Sequence, residues 1–347
     1  LLDRFIPPFL GRRRGWLLMS QIALMASIVG LGYSDPVKNT WMMIVAAVLV
    51  AFFSATQDIV IDAYRREDLP DEELGLGSSM YVYGYRLGML LASGGGLILA
   101  DFISFSQVYF IMAFCLLPGI LTTLFTPEPK VSVGIPRTMQ EAVVNSMVDY
   151  FSRNGAIWML AFILMYKIGD TMASAITIPF YLEIGFSKTE IGTVVKFFGT
   201  AATLAGAALG GLLLLKLGIN RGLWIFGILQ ALSTAGFAIL ARIGYNILML
   251  SGVIAFENLS SGMGTAAFVA FMASITNKKF TATQYALLTS LMGLPRALAS
   301  SVTGLMAKNF GWESFFLLCT LIAIPGMLFL LKFAPWNSRS VGEARAI

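Results

Sequence analysis

"LLDRFIPPFLGRRRGW", residues 1–16, sets Asp3, Arg4 and the consecutive arginines Arg12, Arg13 and Arg14 directly before a long apolar run. A loop this basic in a chain this apolar reads as an internal loop of a membrane protein, lying on the side of the bilayer that collects Lys and Arg. On that reading two helices are expected to precede it.

The totals agree with the loop. The chain is 57% hydrophobic and 12% charged, against roughly 45–50% and about 25% in soluble domains. A net charge of +5 does not point to nucleic acid, because the bases fall between apolar runs and not on one hydrophilic face. There is no histidine, and Cys115 and Cys319 each lie inside an apolar run. Neither a metal site nor a disulfide framework is expected, and no cofactor. Proton chemistry therefore falls to carboxylates. The sequence holds no nucleophile-and-base set of an enzyme and no filter-like ring of a channel. No cleavable signal peptide is visible, since the first apolar run follows a loop and continues into an array of spans.

A bilayer core about 30 Å thick takes about 20 apolar residues in a helix. Runs of that length fall at 16–33, 40–64, 74–99, 106–126, 155–183, 188–217, 220–242, 245–274, 281–308 and 312–334. In the 188–217 run, Gly206 and Gly210, four apart, would let helices approach closely. With the first loop in the cytoplasm, sixteen Lys and Arg gather in the loops and tails of that side, including Arg65, Arg66, Arg153, Lys278 and Lys279; only Lys38, Lys188, Arg242 and Lys308 fall on the other. Ten spans are an even number, so the C-terminus also lies in the cytoplasm.

One loop, "TPEPKVSVGIPRTMQEAVVNSMVDYFSRNG" at 126–155, is longer than the rest. Met139, Val143, Met147 and Phe151 recur every four residues, the pattern of an amphipathic helix lying on the cytoplasmic membrane face. The loop divides four spans from six. That is the arrangement of a six-plus-six carrier whose opening pair is missing. "YRLGMLLASGGGLILADF" and "PRALASSVTGLMAKNFGW" are faintly alike and match such a repeat.

The pair Asp3-Arg4 followed by Gly11-Arg12-Arg13-Arg14 resembles the loop between helices two and three of the major facilitator superfamily. Closer matches follow at "FFSATQDIVIDAYRREDLPDEELGLG" (52–77), "YRLGMLLASGG" (85–95), "MYKIGD" (165–170), "FENLSSGMGTAAFVAFM" (256–272) and "FTATQYALLTSL" (280–291). These resemble the AmpG family of bacterial muropeptide permeases, from residue 1 to about 334. The resemblance implies an all-α, major facilitator-like bundle with ten of twelve transmembrane helices present. It implies import of anhydro-muropeptides across the inner membrane with protons, through a monomer in the lipid bilayer. The expected domains are an incomplete N-terminal bundle at 1–126 holding helices three to six, a cytoplasmic linker at 127–154, a six-helix bundle at 155–334 and a cytoplasmic tail at 335–347. Three alternatives stay open: a carrier of another bulky solute such as an acyl-coenzyme A, a channel, and a truncated paralogue that does not transport.

Eight ionisable residues fall within the spans: Asp58, Asp62, Arg86, Lys167, Asp170, Lys196, Glu257 and Arg296. Facing lipid, they would cost roughly 20–28 kcal/mol together. They are expected to face one another or water. The resemblance implies that the fourth, seventh and tenth helices of twelve, here 40–64, 155–183 and 245–274, line a central cavity, and all four acids sit on them. Asp58, Arg86, Lys167, Asp170, Lys196, Glu257, Asn258 and Arg296 are the candidate substrate and proton residues. Asp3, Arg4, Arg12, Arg13 and Asp62 are the candidate cytoplasmic gate. Each has a structural counter-reading: Asp58 paired with Arg86, Asp62 with Arg65 or the Arg4/Arg12 loop, Lys167 with Asp170, and Arg296 a strut beside the kink of Pro295. Glu257 has no base near it on its helix. Tyr81 and Tyr85 share a face and can stack on a sugar or pack.

Overall fold

The computed structural model describes residues 2–35, 38–130, 136, 138–153 and 155–336, the side chains of Leu97, Arg296, Leu298, Ala299 and Ser300 excepted. The expected tail beyond Trp336 lies outside the described residues. Among those residues the regular structure is entirely helical, with no strand. This is an all-α membrane protein.

The first two runs are continuous helices, α1 (Arg12–Tyr33) and α2 (Thr40–Asp68). The third is α3 (Leu74–Leu90), a π-helical turn at Leu91–Gly95 and α4 (Gly96–Ala100). The fourth divides into α5 (Phe105–Phe114) and α6 (Leu117–Phe125). Pro118 explains the division, because its ring clashes with the carbonyl four residues back, at Phe114. In the linker, a π-helical turn at Glu141–Asn145 leads into α7 (Ser146–Phe151).

The fifth run breaks twice, giving α8 (Ala156–Met165), α9 (Ile168–Ala175) and α10 (Thr177–Ile184). Pro179 ends α9 at Ala175 by the same clash. The next two runs join: α11 (Lys188–Glu190), a π-helical turn at Ile191–Phe198, then α12 (Gly199–Ile243). Straight, the 45 residues of α12 would reach about 68 Å, far beyond a bilayer of about 30 Å. The kink at Gly218, φ 75° and ψ 166°, divides them. The chain ends in α13 (Ile247–Ile275), α14 (Thr281–Phe310), α15 (Trp312–Leu328) and α16 (Leu330–Phe333).

Seven helical stretches among the described residues are long and apolar enough to cross a membrane, Lys188–Ile243 counted as one. The runs 74–99 and 281–308 are helical but fall below that apolarity. Gly, Ser, Thr and Tyr dilute them, which is why they read as spans by boundary and not by hydropathy.

By its contacts the chain forms two units. One comprises Leu1–Pro70, Tyr85–Val148 and Thr276–Ala286; the other comprises Asp71–Gly84, Asp149–Ile275 and Leu287–Ile347. In the first, α1 packs along α2 and α5. An apolar groove of about 570 Å³ opens beside α1 and α2, lined by Ala23, Ser27, Trp41, Val45 and Phe53 among others. The linker segment buries Ala142, Ser146 and Tyr150 and exposes Val143, Val144, Val148 and Phe151. The π-helical turn changes the expected register, so Met147 is half-buried and Val144 and Val148 join the exposed apolar face.

In the second unit α12 and α13 lie against each other over their length. Small residues allow it: a Cβ on Gly206 would strike the Leu259 backbone, one on Gly210 would lie 2.8 Å from the Met263 Cα, and one on Gly262 would strike the Thr203 carbonyl. Two aromatic clusters complete the core. Phe180, Phe237, Trp312 and Phe316 form one, and Phe162, Tyr166, Phe268, Phe271 and Phe333 the other.

Candidate functional site

Two groups of charged and polar side chains emerge, one in each unit. The first is built on the opening loop. Arg13 is fully buried; its Nε donates to Glu67 Oε2 at 2.9 Å and its Nη2 to Asp3 Oδ1 at 2.7 Å. Arg12 Nη2 donates to Glu67 Oε1 at 2.9 Å. Two buried acids thus meet two buried arginines, and charge balances where water cannot reach. Asp3 and a further acid, Glu128, cap helices. Asp3 accepts from the backbone N–H of Ala282 at 3.1 Å and of Thr283 at 2.9 Å, the first turn of α14, and from the Thr283 hydroxyl at 2.8 Å. Glu128 accepts from the backbone N–H of Arg13 at 2.7 Å and of Arg14 at 3.0 Å, the first turn of α1. Carboxylates at helix N-termini satisfy free N–H groups and the helix dipole together.

Gly11 makes the second cap possible. It adopts φ +88°, and a Cβ there would lie 2.8 Å from the Glu128 carboxyl carbon. Burial alone would push the Asp3 carboxyl up, but the Arg13 charge and the hydrogen bonds with Arg13 and Thr283 outweigh it and hold the group below the usual carboxylate range.

Of the loop residues expected to act together, Asp3, Arg12 and Arg13 do so, while the Arg4 guanidinium stacks over Phe5 at 4.9 Å. Asp62 accepts from Arg65 Nη2 at 2.9 Å, and the same Nη2 reaches the Tyr285 hydroxyl at 2.9 Å. Between the two partners foreseen for Asp62, Arg65 is the one observed. Glu67, Glu128 and Thr283 complete the network and carried no signal in the sequence beyond lying in charged or polar loop segments.

The second group lies where the fifth run breaks. Lys167 caps α9 with non-helical backbone, φ −106° and ψ 7°. Gly169, two residues on, lets α15 approach so closely that a Cβ would strike the Cys319 carbonyl. Lys167 Nζ donates to Thr265 Oγ1 at 2.6 Å. Glu257, 8% exposed, accepts from Ser233 Oγ at 2.5 Å and lies beside the Asp170 carboxyl and the Lys167 charge. Asn258 Oδ1 accepts from Thr203 at 2.9 Å, and its amide donates to the Ile254 carbonyl. The structure thus joins Lys167, Asp170 and Glu257, adds Ser233 and Thr265, and sets Asn258 with Thr203.

The other candidates stay apart from such contacts. Asp58 and Lys196 are exposed and Arg86 is half-buried; none of the three forms an ion pair among the described residues, so the Asp58–Arg86 pairing is not made. Lys196 rides the π-helical turn before α12. Arg296 lies on α14 just after Pro295, and its side chain lies outside the described residues.

A discontinuous helix bearing charges at its break is the way carrier folds build sites inside a membrane. Comparison with known proteins agrees. The sequence matches the profile of the Major Facilitator Superfamily over residues 1–300 and over 168–345. It is 43% identical over 333 residues to the anhydromuropeptide permease of Escherichia coli, covering 95% of this chain and 68% of that protein. It is 33% identical to a putative AmpG transporter of Rickettsia bellii, covering 95% and 82%. Among solved structures, the fucose:proton symporter of E. coli superposes with a TM-score of 0.74 at 13% identity, covering 92% of this chain and 83% of the other. The chain belongs to the major facilitator superfamily and, within it, to the AmpG-like permeases.

Proposed function

We propose that this permease imports anhydro-muropeptides across the bacterial inner membrane by alternating access, one proton entering with each substrate, as a monomer with its C-terminus in the cytoplasm. The substrate class rests on the similarity to the anhydromuropeptide permease. The observation that carries the coupling is the cluster of half-buried Lys167 and Asp170 with buried Glu257 and Ser233.

A peptidoglycan fragment offers sugar hydroxyls and peptide carboxylates. Lys167, Lys196, Arg86 and Arg296 supply cations for the carboxylates, the arginines as bidentate partners. Asp58 and Asn258 supply hydrogen bonds. Coupling needs a carboxyl that is stable with and without its proton. Ser233 provides for both at Glu257, because its single hydroxyl hydrogen has two acceptors in reach, Glu257 Oε2 at 2.5 Å and the Gln230 carbonyl at 2.9 Å. Ionised, Glu257 accepts from Ser233; protonated, it donates to the Ser233 oxygen while the hydroxyl turns to Gln230. The neighbouring carboxyls of Asp170 and Glu257 can hold one proton between them, and Lys167 balances the pair when that proton is gone. When substrate carboxylate draws Lys167 away, a proton on the pair takes over the charge balance that Lys167 supplied. Binding of substrate and proton are thus linked.

The loop network of Asp3, Arg12, Arg13 and Glu67, with Asp62 on Arg65 beside it, acts in this reading as the cytoplasmic gate: it holds the first turn of α14 to the loop in one state and releases it in the other. One charge moved through 100 mV supplies about 2.3 kcal/mol, or about fiftyfold accumulation. Uptake of labelled anhydro-disaccharide peptide into proteoliposomes tests the proposal. It should be saturable, stop with an uncoupler and lose its dependence on the gradient in Glu257→Gln. Gradient-independent uptake by the parent protein removes the coupling; no uptake of this substrate, with another bulky solute carried instead, removes the substrate class.

A further inference from the structure

Behind Asp170, inside the second unit, lies a hole of about 10 Å³ lined by Tyr166, Asp170, Gly227, Gln230 and Thr234 among others. That is about the space one water occupies. Gln230 is 5% exposed, and its Nε2, buried, makes no hydrogen bond. A buried amide N–H without a partner is costly, and apolar holes stay dry while polar ones of this size fill.

We propose that this hole is a binding site for a single ordered water, which joins Gln230 to Asp170 and holds the Asp170 carboxyl in place. The water accepts from Gln230 Nε2 and donates to the Asp170 carboxyl and to Thr234 Oγ1. Thr234 is free to accept, since its own hydrogen goes to the Gln230 carbonyl at 3.1 Å. The Tyr166 hydroxyl is already committed to the Leu223 carbonyl at 2.9 Å, so the amide is the donor of the site. A lining residue with an unsatisfied N–H suits a water oxygen over a metal cation, which takes only acceptors. The result is one polar chain across three helices: Gln230, water, Asp170, Glu257, Ser233.

Its functional meaning rests on the coupling proposed above. Groups that face Asp170 and Glu257 are few: Lys167 and Tyr166 from the α8–α9 break, Tyr181 from α10, and Gln230, Ser233 and Thr234 from α12; Cys319 of α15 belongs to the aromatic core. Gln230 and Gly227 touch neither carboxyl directly in this scheme and act as positioning residues. Losing the water removes one hydrogen bond from the Asp170 carboxyl and frees it to move, and the pH profile of uptake reads that change.

An electron density or cryo-EM map of the whole protein near 2 Å reads the site directly. One peak within hydrogen-bond distance of both Gln230 Nε2 and the Asp170 carboxyl is expected; a dry hole, or a peak with metal-like distances to oxygen atoms alone, overturns the proposal. Two variants read its consequence. Gln230→Met removes the donor at similar volume, and Gly227→Ala places a Cβ 3.0 Å from the Tyr166 ring and crowds the water out. Both should shift the pH profile of gradient-driven uptake while the KM for labelled substrate in counterflow stays unchanged. An unmoved pH profile in both variants, with the peak absent from their maps, overturns the positioning role. If instead Glu257→Gln keeps full coupling, the coupling reading fails, and the water still stands or falls by the map.

Discussion

The opening-loop network and the α9–α13 cluster are both buried assemblies of charge, and they are built in opposite ways. Around Arg13, two acids and two arginines balance, and one of the acids, Asp3, reaches a helix N-terminus as well. Around Glu257, two acids lie together beside a single lysine, and a buried amide is left without a partner. A balanced network resists change, because removing any member strands a charge. An unbalanced one is poised to take up what it lacks. On the proposed function, the contrast is that between a latch and a binding site.

The largest effect belongs to the latch. Glu67→Gln leaves Arg12 and Arg13 buried with one carboxylate between them, and stability in detergent should fall by about 3–5 kcal/mol, the cost of orphaning a buried charge. Thermal unfolding reads this, and a variant as stable as the parent would mean that the network is wet and weak. Glu257→Gln should behave in reverse. The amide keeps a bond to Ser233, so the melting temperature should hold, while the accumulation of about fiftyfold set by 100 mV collapses to equilibration.

Gly11→Ala comes next. An L side chain at φ +88° costs roughly 1–2 kcal/mol, and its Cβ presses on Glu128, so α1 should lose its cap; hydrogen exchange at the amides of Arg13 and Arg14 should rise without change elsewhere. Smallest is the acid response of Asp3. Folding lowers its pKa, so its contribution is complete above about pH 4 and is lost as pH falls through the lower folded value. The parent should lose stability from pH 4 downward, and Asp3→Asn, less stable at pH 7, should lose less over that range. Equal acid slopes would show that Asp3 is not held by Arg13.

The particular helices show where legibility stopped. The breaks at Phe114 and Ala175 follow from Pro118 and Pro179, four residues on, and the division of α12 from one glycine, so those were readable in kind. The exposed face of the linker was not, because a π-helical turn shifts register and has no composition of its own. Asp62 offered two partners, and only packing chose Arg65. Glu67 and Glu128 looked like ordinary loop acids; distance along the chain, 54 residues between Arg13 and Glu67, hides such pairing from any local pattern.

Length and apolarity alone determined that the chain folds as membrane-spanning helices and that charges within them require company, because a bilayer leaves backbone groups no partner but the helix and charges no solvent but protein or water. Which charges meet was decided by tertiary structure alone. Glycines at 169, 206, 210 and 262 bring backbones within contact, and at that range a single rotation of a helix determines whether Glu257 finds Asp170 or lipid.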